Sequence, residues 1–264
     1  MYEYEKNIIN NNEDYLKKID IIENFSGNTV YLNTVCLEIL KEDEINSPLI
    51  EGNQLTKTEA QFYLENDVTV RGKKLKDFIQ IQNQRHVNTE ILEKIIYNCN
   101  DFILDINTIL DIHRIITYGE LPYNECGQLR DDIVTLATTI KIPPEPEKVP
   151  ILLDQLIKEY YKPLDIGETQ FERICEFKRN FELIHPFFDG NGRTGRVLMN
   201  ALFIQNNYPV ITIPYEERIN YFNSLETNTF PDFCANLMLN SIYKIQMYEK
   251  KQEFFQIIED FDYD

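Results

Sequence analysis

Tryptophan is absent, and histidine occurs only three times in 264 residues. So few histidines leave little room for a His-rich metal centre. The five cysteines, Cys36, Cys99, Cys126, Cys175 and Cys234, are scattered, odd in number and without a C-x-x-C pair. That usage excludes a disulfide frame or zinc site and fits small buried hydrophobes in a reducing compartment. Positive charge is also scarce: 26 Lys and Arg face 44 Asp and Glu, a formal net charge of −18 with a pI near 4.6. Such a balance argues against non-specific nucleic-acid binding and against docking on an anionic lipid surface. No apolar run approaches the ~20 residues of a membrane helix. The opening MYEYEKNIINNNEDY lacks a basic region followed by an apolar one, so no signal peptide is expected. A cytoplasmic protein with neither nucleic-acid nor membrane partners is the resulting expectation.

Apolar residues make up 43% and aromatics 12%, enough for a buried core and one large domain with at most a small attachment. The first 45 or so residues are polar and Asn-rich, with weakly amphipathic stretches near 13–24 and 30–42. Residues 46–53, with Pro48 and Gly52, read as a break. Apolar residues at helical spacing follow over 56–84, interrupted at 71–72, and again over 89–118. The stretch 129–142 is rich in β-branched residues and ends in prolines, which predicts a small hairpin or extended flap. Helical spacing returns at 149–161, 170–184, 193–206 and from about 216 to 258. The chain therefore reads as mostly α with one small β element.

The chemistry concentrates in His185-Pro186-Phe187-Phe188-Asp189-Gly190-Asn191-Gly192-Arg193-Thr194-Gly195-Arg196, between two amphipathic helices. Pro186 disfavours helical geometry at His185, so the first helix should end there. Gly190 and Gly192 allow a tight turn that brings N–H groups close to a ligand. The free N–H groups of the next helix form an anion site, reinforced by Arg193 and Arg196. Asp189 is placed to hold Mg²⁺ beside phosphates. His185 is the one group here that accepts a proton near neutral pH. Gly190-x-Gly192-x-x-Gly195 also matches the dinucleotide-binding glycine pattern, but a helix precedes it and no βαβ rhythm surrounds it.

These twelve residues resemble the Fic (filamentation induced by cAMP) motif, H-P-F-x-D/E-G-N-G-R-x-x-R. Residues 127–149, with Arg130 and the Ile142-Pro143-Pro144 end, look like the family's flap. Asn206-Asn207-Tyr208-Pro209 and Arg218-Ile219-Asn220-Tyr221-Phe222 resemble its post-motif region. The resemblance implies a Fic-type helical bundle with a β-hairpin flap and a helical N-terminal extension. The implied boundaries are an extension over 1–88, a Fic domain over 89–245 and a helix end with an acidic tail over 246–264. The implied activity is transfer of AMP from ATP to a Tyr, Ser or Thr hydroxyl of a protein, the chain itself being one candidate target. His185 would be the base and Asp189 would hold Mg²⁺ against the α- and β-phosphates. Asn191 and the amides of Gly190, Gly192, Thr194 and Gly195 would cradle the α-phosphate. Arg193 would contact the β-phosphate and Arg196 the γ-phosphate. Leu136, Ala137, Thr138 and Thr139 of the flap would hold the target segment and touch the nucleotide, and Tyr221 would contact adenine.

Ser47-Pro48-Leu49-Ile50-Glu51-Gly52-Asn53 reads locally as an N-cap, a Pro at the first helical position and a Gly that ends a single turn. Glu51, four residues after Ser47, falls outside a capping box and is free for another partner. The segment resembles the family's inhibitory motif S/T-x-x-x-E-G/N, in the class that carries it before the core. The resemblance implies that Glu51 pairs with Arg196 where the γ-phosphate would sit. It leaves open AMP removal, or a non-catalytic regulatory nucleotide-binding role, as alternatives, and it allows a homodimer.

Overall fold

The computed structural model describes residues 13–27, 29–98, 102–134 and 142–261. Among these residues there is no strand. In chain order the helices are α1 (Glu13–Glu23), α2 (Thr29–Ile50), α3 (Lys57–Asn66), α4 (Leu75–Val87), α5 (Glu93–Tyr97), α6 (Ile106–Thr117), α7 (Val149–Tyr160), α8 (Gln170–Ile184), α9 (Asn191–Gln205), α10 (Arg218–Glu226) and α11 (Phe230–Phe261). A π-turn at Asn88–Leu92 carries α4 into α5. The mostly α class is as expected. The expected hairpin, with Leu136, Ala137, Thr138 and Thr139, lies outside the described residues.

Helices α8 and α9 form the centre. Thr169 starts α8 through a capping box with Glu172, satisfying two otherwise unpaired backbone donors. Phe171, Ile174, Phe177 and Phe181 recur at helical spacing and are buried. The helix stops at His185, whose φ of 49° is left-handed. Gly190, φ 79°, then leads into α9. Every residue of α9 from Asn191 to Ile204 is buried, because α8, α6, α5 and α2 surround it. A helix apolar on one face alone could not sit there. Its polar residues, Arg193 and Arg196 among them, must find partners inside.

The N-terminal helices belong to the same core. Tyr15, Ile19 and Ile39 join a cluster with Ile109, Leu198 and Met238. Helix α1 packs on α11, and α2 packs on α4 and α11. A smaller cluster of Ile45, Leu49, Leu55, Ala60, Leu64, Phe78 and Ile81 holds the end of α2 against α3 and α4.

The end of α2 corrects one sequence expectation. No new turn opens at Pro48: α2 runs through it to Ile50, so Ser47 is not an N-cap. Proline within a helix removes one hydrogen bond and costs ~3 kcal/mol in the interior. Here the helix ends two residues later, and burial of Leu49 and Ile50 offsets the loss by ~1.5–3 kcal/mol each. The Pro48 carbonyl accepts from the N–H groups of Glu51 and Asn53, and Gly52 turns the chain with φ 96°.

Candidate active site

Three side chains anchor the loop between α8 and α9. The Asn191 side chain accepts from Phe187 N at 2.9 Å and donates to Phe187 O at 2.8 Å. It therefore closes the loop on itself; the expected phosphate contact is not the use its amide has in this structure. His113, fully buried in α6, stacks on Phe187 with ring centroids 3.6 Å apart. Its Nδ1 accepts from Gly127 N at 2.9 Å, so Nε2–H donates to Asp189 O at 2.9 Å. Burial lowers its pKa to about 4, so the imidazole is neutral. Arg130 is almost fully buried and gathers carbonyls from three directions. Its Nε donates to His185 O at 2.7 Å, Nη1 to Asp132 O at 3.0 Å and Nη2 to Pro144 O at 2.6 Å. One side chain thus ties the His185 corner to both flanks of the 135–141 segment.

His185 sits at that corner in the sparsely populated left-handed region, a conformation retained only where the surroundings enforce it. Burial lowers its pKa below the ordinary histidine value, and Glu182, one turn earlier on α8, partly opposes this. A neutral imidazole near pH 7 is the form that accepts a proton.

Arg196 is fully engaged. Nη1 lies 2.7 Å from Glu51 Oε1, Nε donates to Ser47 Oγ at 2.9 Å, and Nη2 donates to Ser47 O at 2.8 Å. Burial works against its charge, but Glu51, Tyr221 and Asp43 outweigh it and hold the proton above the usual arginine range. Asp43 and Ser47 share one face of α2, and Glu51, one residue past its end, continues the four-residue spacing, so all three face Arg196. Glu51 also reaches the first turn of α9: a β-carbon at Gly192 would collide with Glu51 Oε1. A carboxylate thus sits at the helix N-terminus, where unpaired N–H groups and the dipole favour an anion. The end of α2 is held there by Arg218, whose Nε donates to Ile50 O at 2.6 Å.

The second motif arginine has its own carboxylate. Arg193 Nη1 and Nη2 form a fork with Glu120, the Nη2 bond being 3.0 Å, and both side chains are buried. Tyr221 is fully buried. Its hydroxyl contacts Lys178 Nζ and, at 3.3 Å, Arg196 Nη1. Its ring supports Arg196 from beneath in this arrangement. Thr194 and Gly195 lie inside the same helix, where a β-carbon on Gly195 would press to 3.1 Å from Phe181.

Asp189 is half-exposed at the mouth of the loop, 3.3 Å from Lys76 Nζ and 3.9 Å from Arg193 Nη2. Burial would raise its pKa, but Arg193, the Gly190 N–H and Lys76 lower it further, so the carboxylate is ionised. Among the described residues no group of three or more His, Cys, Asp or Glu side chains could hold a metal ion. A lone ionised carboxylate fits Mg²⁺, which takes one or two protein oxygens and completes its shell with water and phosphate.

Sequence reasoning placed His185, Asp189, Arg193, Arg196 and Glu51 around one site, and the fold brings all five together. It missed Glu120 and Lys76, which lie 73 and 113 residues from their partners. Ser47 was read as part of the inhibitory motif, but its hydroxyl and carbonyl bonds to Arg196 were not foreseen. The four-residue spacing of Asp43, Ser47 and Glu51 was a usable signal for a helix continuous through Pro48.

Residues 103–203 match the family model described as the Fic/DOC family. The chain is 30% identical over 185 residues to protein adenylyltransferase Fic of Drosophila willistoni, covering 67% of this chain and 34% of that protein. It is 28% identical over 208 residues to protein adenylyltransferase fic-1 of Caenorhabditis elegans, covering 75% and 39%. The chain thus spans little more than a third of the length of the curated relatives it matches. Among solved structures, a Fic domain containing signaling protein from Bacteroides thetaiotaomicron superposes with a TM-score of 0.72 at 22% identity, covering 90% of this chain and 97% of that one. Fic-1 of C. elegans gives the same TM-score and identity over 91% of this chain and 72% of that one. These neighbours share the fold. With the motif loop between α8 and α9 inside the match, residues 103–203 carry a domain of the Fic/DOC family.

Proposed function

We propose that this chain is a protein adenylyltransferase held at rest by Glu51. A Tyr, Ser or Thr hydroxyl of a target protein attacks the α-phosphorus of ATP. A new P–O bond forms, the bond from the α-phosphorus to the oxygen bridging to the β-phosphate breaks, and pyrophosphate leaves. His185 takes the hydroxyl proton. The N–H groups opening α9 and the guanidinium of Arg196 receive the phosphates, and Arg193 stands beside them. Asp189 would hold Mg²⁺, which supplies charge neutralisation for the polyphosphate. Reactions of this kind depend on positioning and charge compensation, which these groups can supply.

The observation that carries the reading is the carboxylate of Glu51 on Arg196 and on the first turn of α9. An anion already occupies the place suited to an anion, so a bound γ-phosphate requires Glu51 to leave. If the open arrangement is populated ~1% of the time, apparent ATP affinity falls about a hundredfold. Calorimetric titration with MgATP tests this. Glu51→Gly is expected to bind at least tenfold more tightly than wild type. Equal affinities would discard the brake, and no binding to either protein would discard the nucleotide reading.

A further inference from the structure

We infer that Glu120 is a positioning residue for the transfer reaction. It fixes the guanidinium of Arg193, and it is braced in turn by Gln80 and Asn53. The inference rests on the adenylyltransferase reading above and deepens it.

The geometry is a chain of buried polar side chains. Arg193, in the first turn of α9, is 1% exposed, and the Glu120 side chain opposite is fully buried. Both carboxylate oxygens of Glu120 accept from Arg193, one from Nη1 and one from Nη2, and Nη1 also donates to Ile116 O at 3.3 Å. A two-point fork of this kind leaves a guanidinium one orientation, which a single acceptor would not. Glu120 Oε2 also accepts from Gln80 Nε2 at 2.8 Å, and Gln80 Oε1 accepts from Asn53 Nδ2 at 2.9 Å. Asn53 is fixed by Asp77 O at 2.8 Å and by Leu55 N at 3.0 Å. The chain starts at the turn that carries Glu51, crosses α4 and ends at the first turn of α9.

What distinguishes this pair from a structural ion pair is where the clamped guanidinium lies. Its Nη2 is 3.9 Å from Asp189 Oδ1, at the mouth of the loop, and its Nε is buried without a hydrogen-bond partner. Glu120 neutralises part of the charge that Arg193 could offer an anion. In exchange it holds the donors still, and group transfer gains more from fixed donors than from a mobile charge. With pyrophosphate as the leaving group, the benefit falls on the rate at saturating ATP. Replacing Glu120 by Gln turns one acceptor into an NH₂ group, which meets the Arg193 fork donor against donor. The guanidinium then has to swing away.

The test uses Glu51→Gly as the parent, so that the brake does not mask the effect. Glu120→Gln and, separately, Gln80→Met are added to it. The second change keeps the ion pair and removes only its brace, so it reports even if Glu120→Gln fails to fold. AMP-adduct formation is followed by intact mass across a range of MgATP, with thermal midpoints measured alongside. The expected result is a rate at saturating ATP at least tenfold lower for Glu120→Gln and a few-fold lower for Gln80→Met. Both proteins must be folded at the assay temperature. Unchanged saturating rates with lowered midpoints would make Glu120 purely structural and overturn the inference, as would an effect confined to KM. A parent that forms no adduct would overturn the adenylyltransferase reading, and this inference with it.

Discussion

Lowering the pH is expected to loosen the loop that carries Asp189, because His113 pins it as a neutral imidazole. The ring is fully buried, accepts from Gly127 N and donates to Asp189 O, so a second proton would place N–H against N–H. Burial lowers the folded pKa from 6.5 to about 4. A group with a lowered folded pKa contributes stability above its unfolded value of 6.5, and that stability is lost as pH falls towards 4. Between pH 7.5 and 5 the loss works out at about 2 kcal/mol. For a chain of this size that is roughly 4–8 °C of melting temperature. Other groups titrate in the same range, so the comparison is with His113→Asn, which keeps an acceptor near Gly127 N and has nothing to titrate. Wild type should be the more stable at pH 7.5, and its advantage should shrink by about 2 kcal/mol at pH 5. Thermal melts of both proteins at the two pH values measure this. A difference that does not change with pH would refute the neutral-pin reasoning.

Three further perturbations follow from the same contacts. Burial raises Asp43 from 3.8 to about 6, so its contribution has the opposite sign: present below pH 4 and lost as pH rises through 6. The melting temperature of Asp43→Asn relative to wild type should therefore climb between pH 4 and 7, by the equivalent of about 2–3 kcal/mol. Ser47→Ala removes the acceptor for Arg196 Nε but leaves the Ser47 carbonyl and Glu51 in place. MgATP affinity by calorimetry should rise a few-fold, less than for Glu51→Gly. Arg130→Lys replaces three-way carbonyl capture by a single ammonium. In a Glu51→Gly background it should cut adduct formation by at least tenfold while leaving ATP affinity within about threefold, measured by intact mass and calorimetry.

The parts legible in the sequence were those written in local pattern. Helix α8 could be bounded from its apolar spacing and Pro186. The loop chemistry could be read because His185, Asp189 and the two arginines lie within twelve consecutive residues. What escaped was set by long-range packing. Pro48 looked like a helix start because local propensity favours that position, yet tertiary burial of Leu49 and Ile50 carries α2 through it. Tyr221 follows helical spacing whether it faces a base or the core, and its contacts with Lys178 and Arg196 come from long-range packing. Glu120 follows the end of α6 with no motif around it, and its importance lies wholly in the Arg193 fork. Asn191 belongs to the motif, but its amide is used on Phe187.

Both motif arginines are thus paired with carboxylates from outside the motif, and the two pairs differ in kind. The Glu120 side chain is fully buried against Arg193, whereas Glu51 keeps about a quarter of its side chain exposed and comes from a helix end. The second pair is the one suited to open. Intact-protein mass spectrometry after incubation with MgATP tests that most directly, comparing wild type, Glu51→Gly and Glu51→Gly/His185→Ala. An AMP adduct on Glu51→Gly, little on wild type and none on the double variant is the expected result. Equal adducts on wild type and Glu51→Gly, or an adduct that survives the loss of His185, would contradict it.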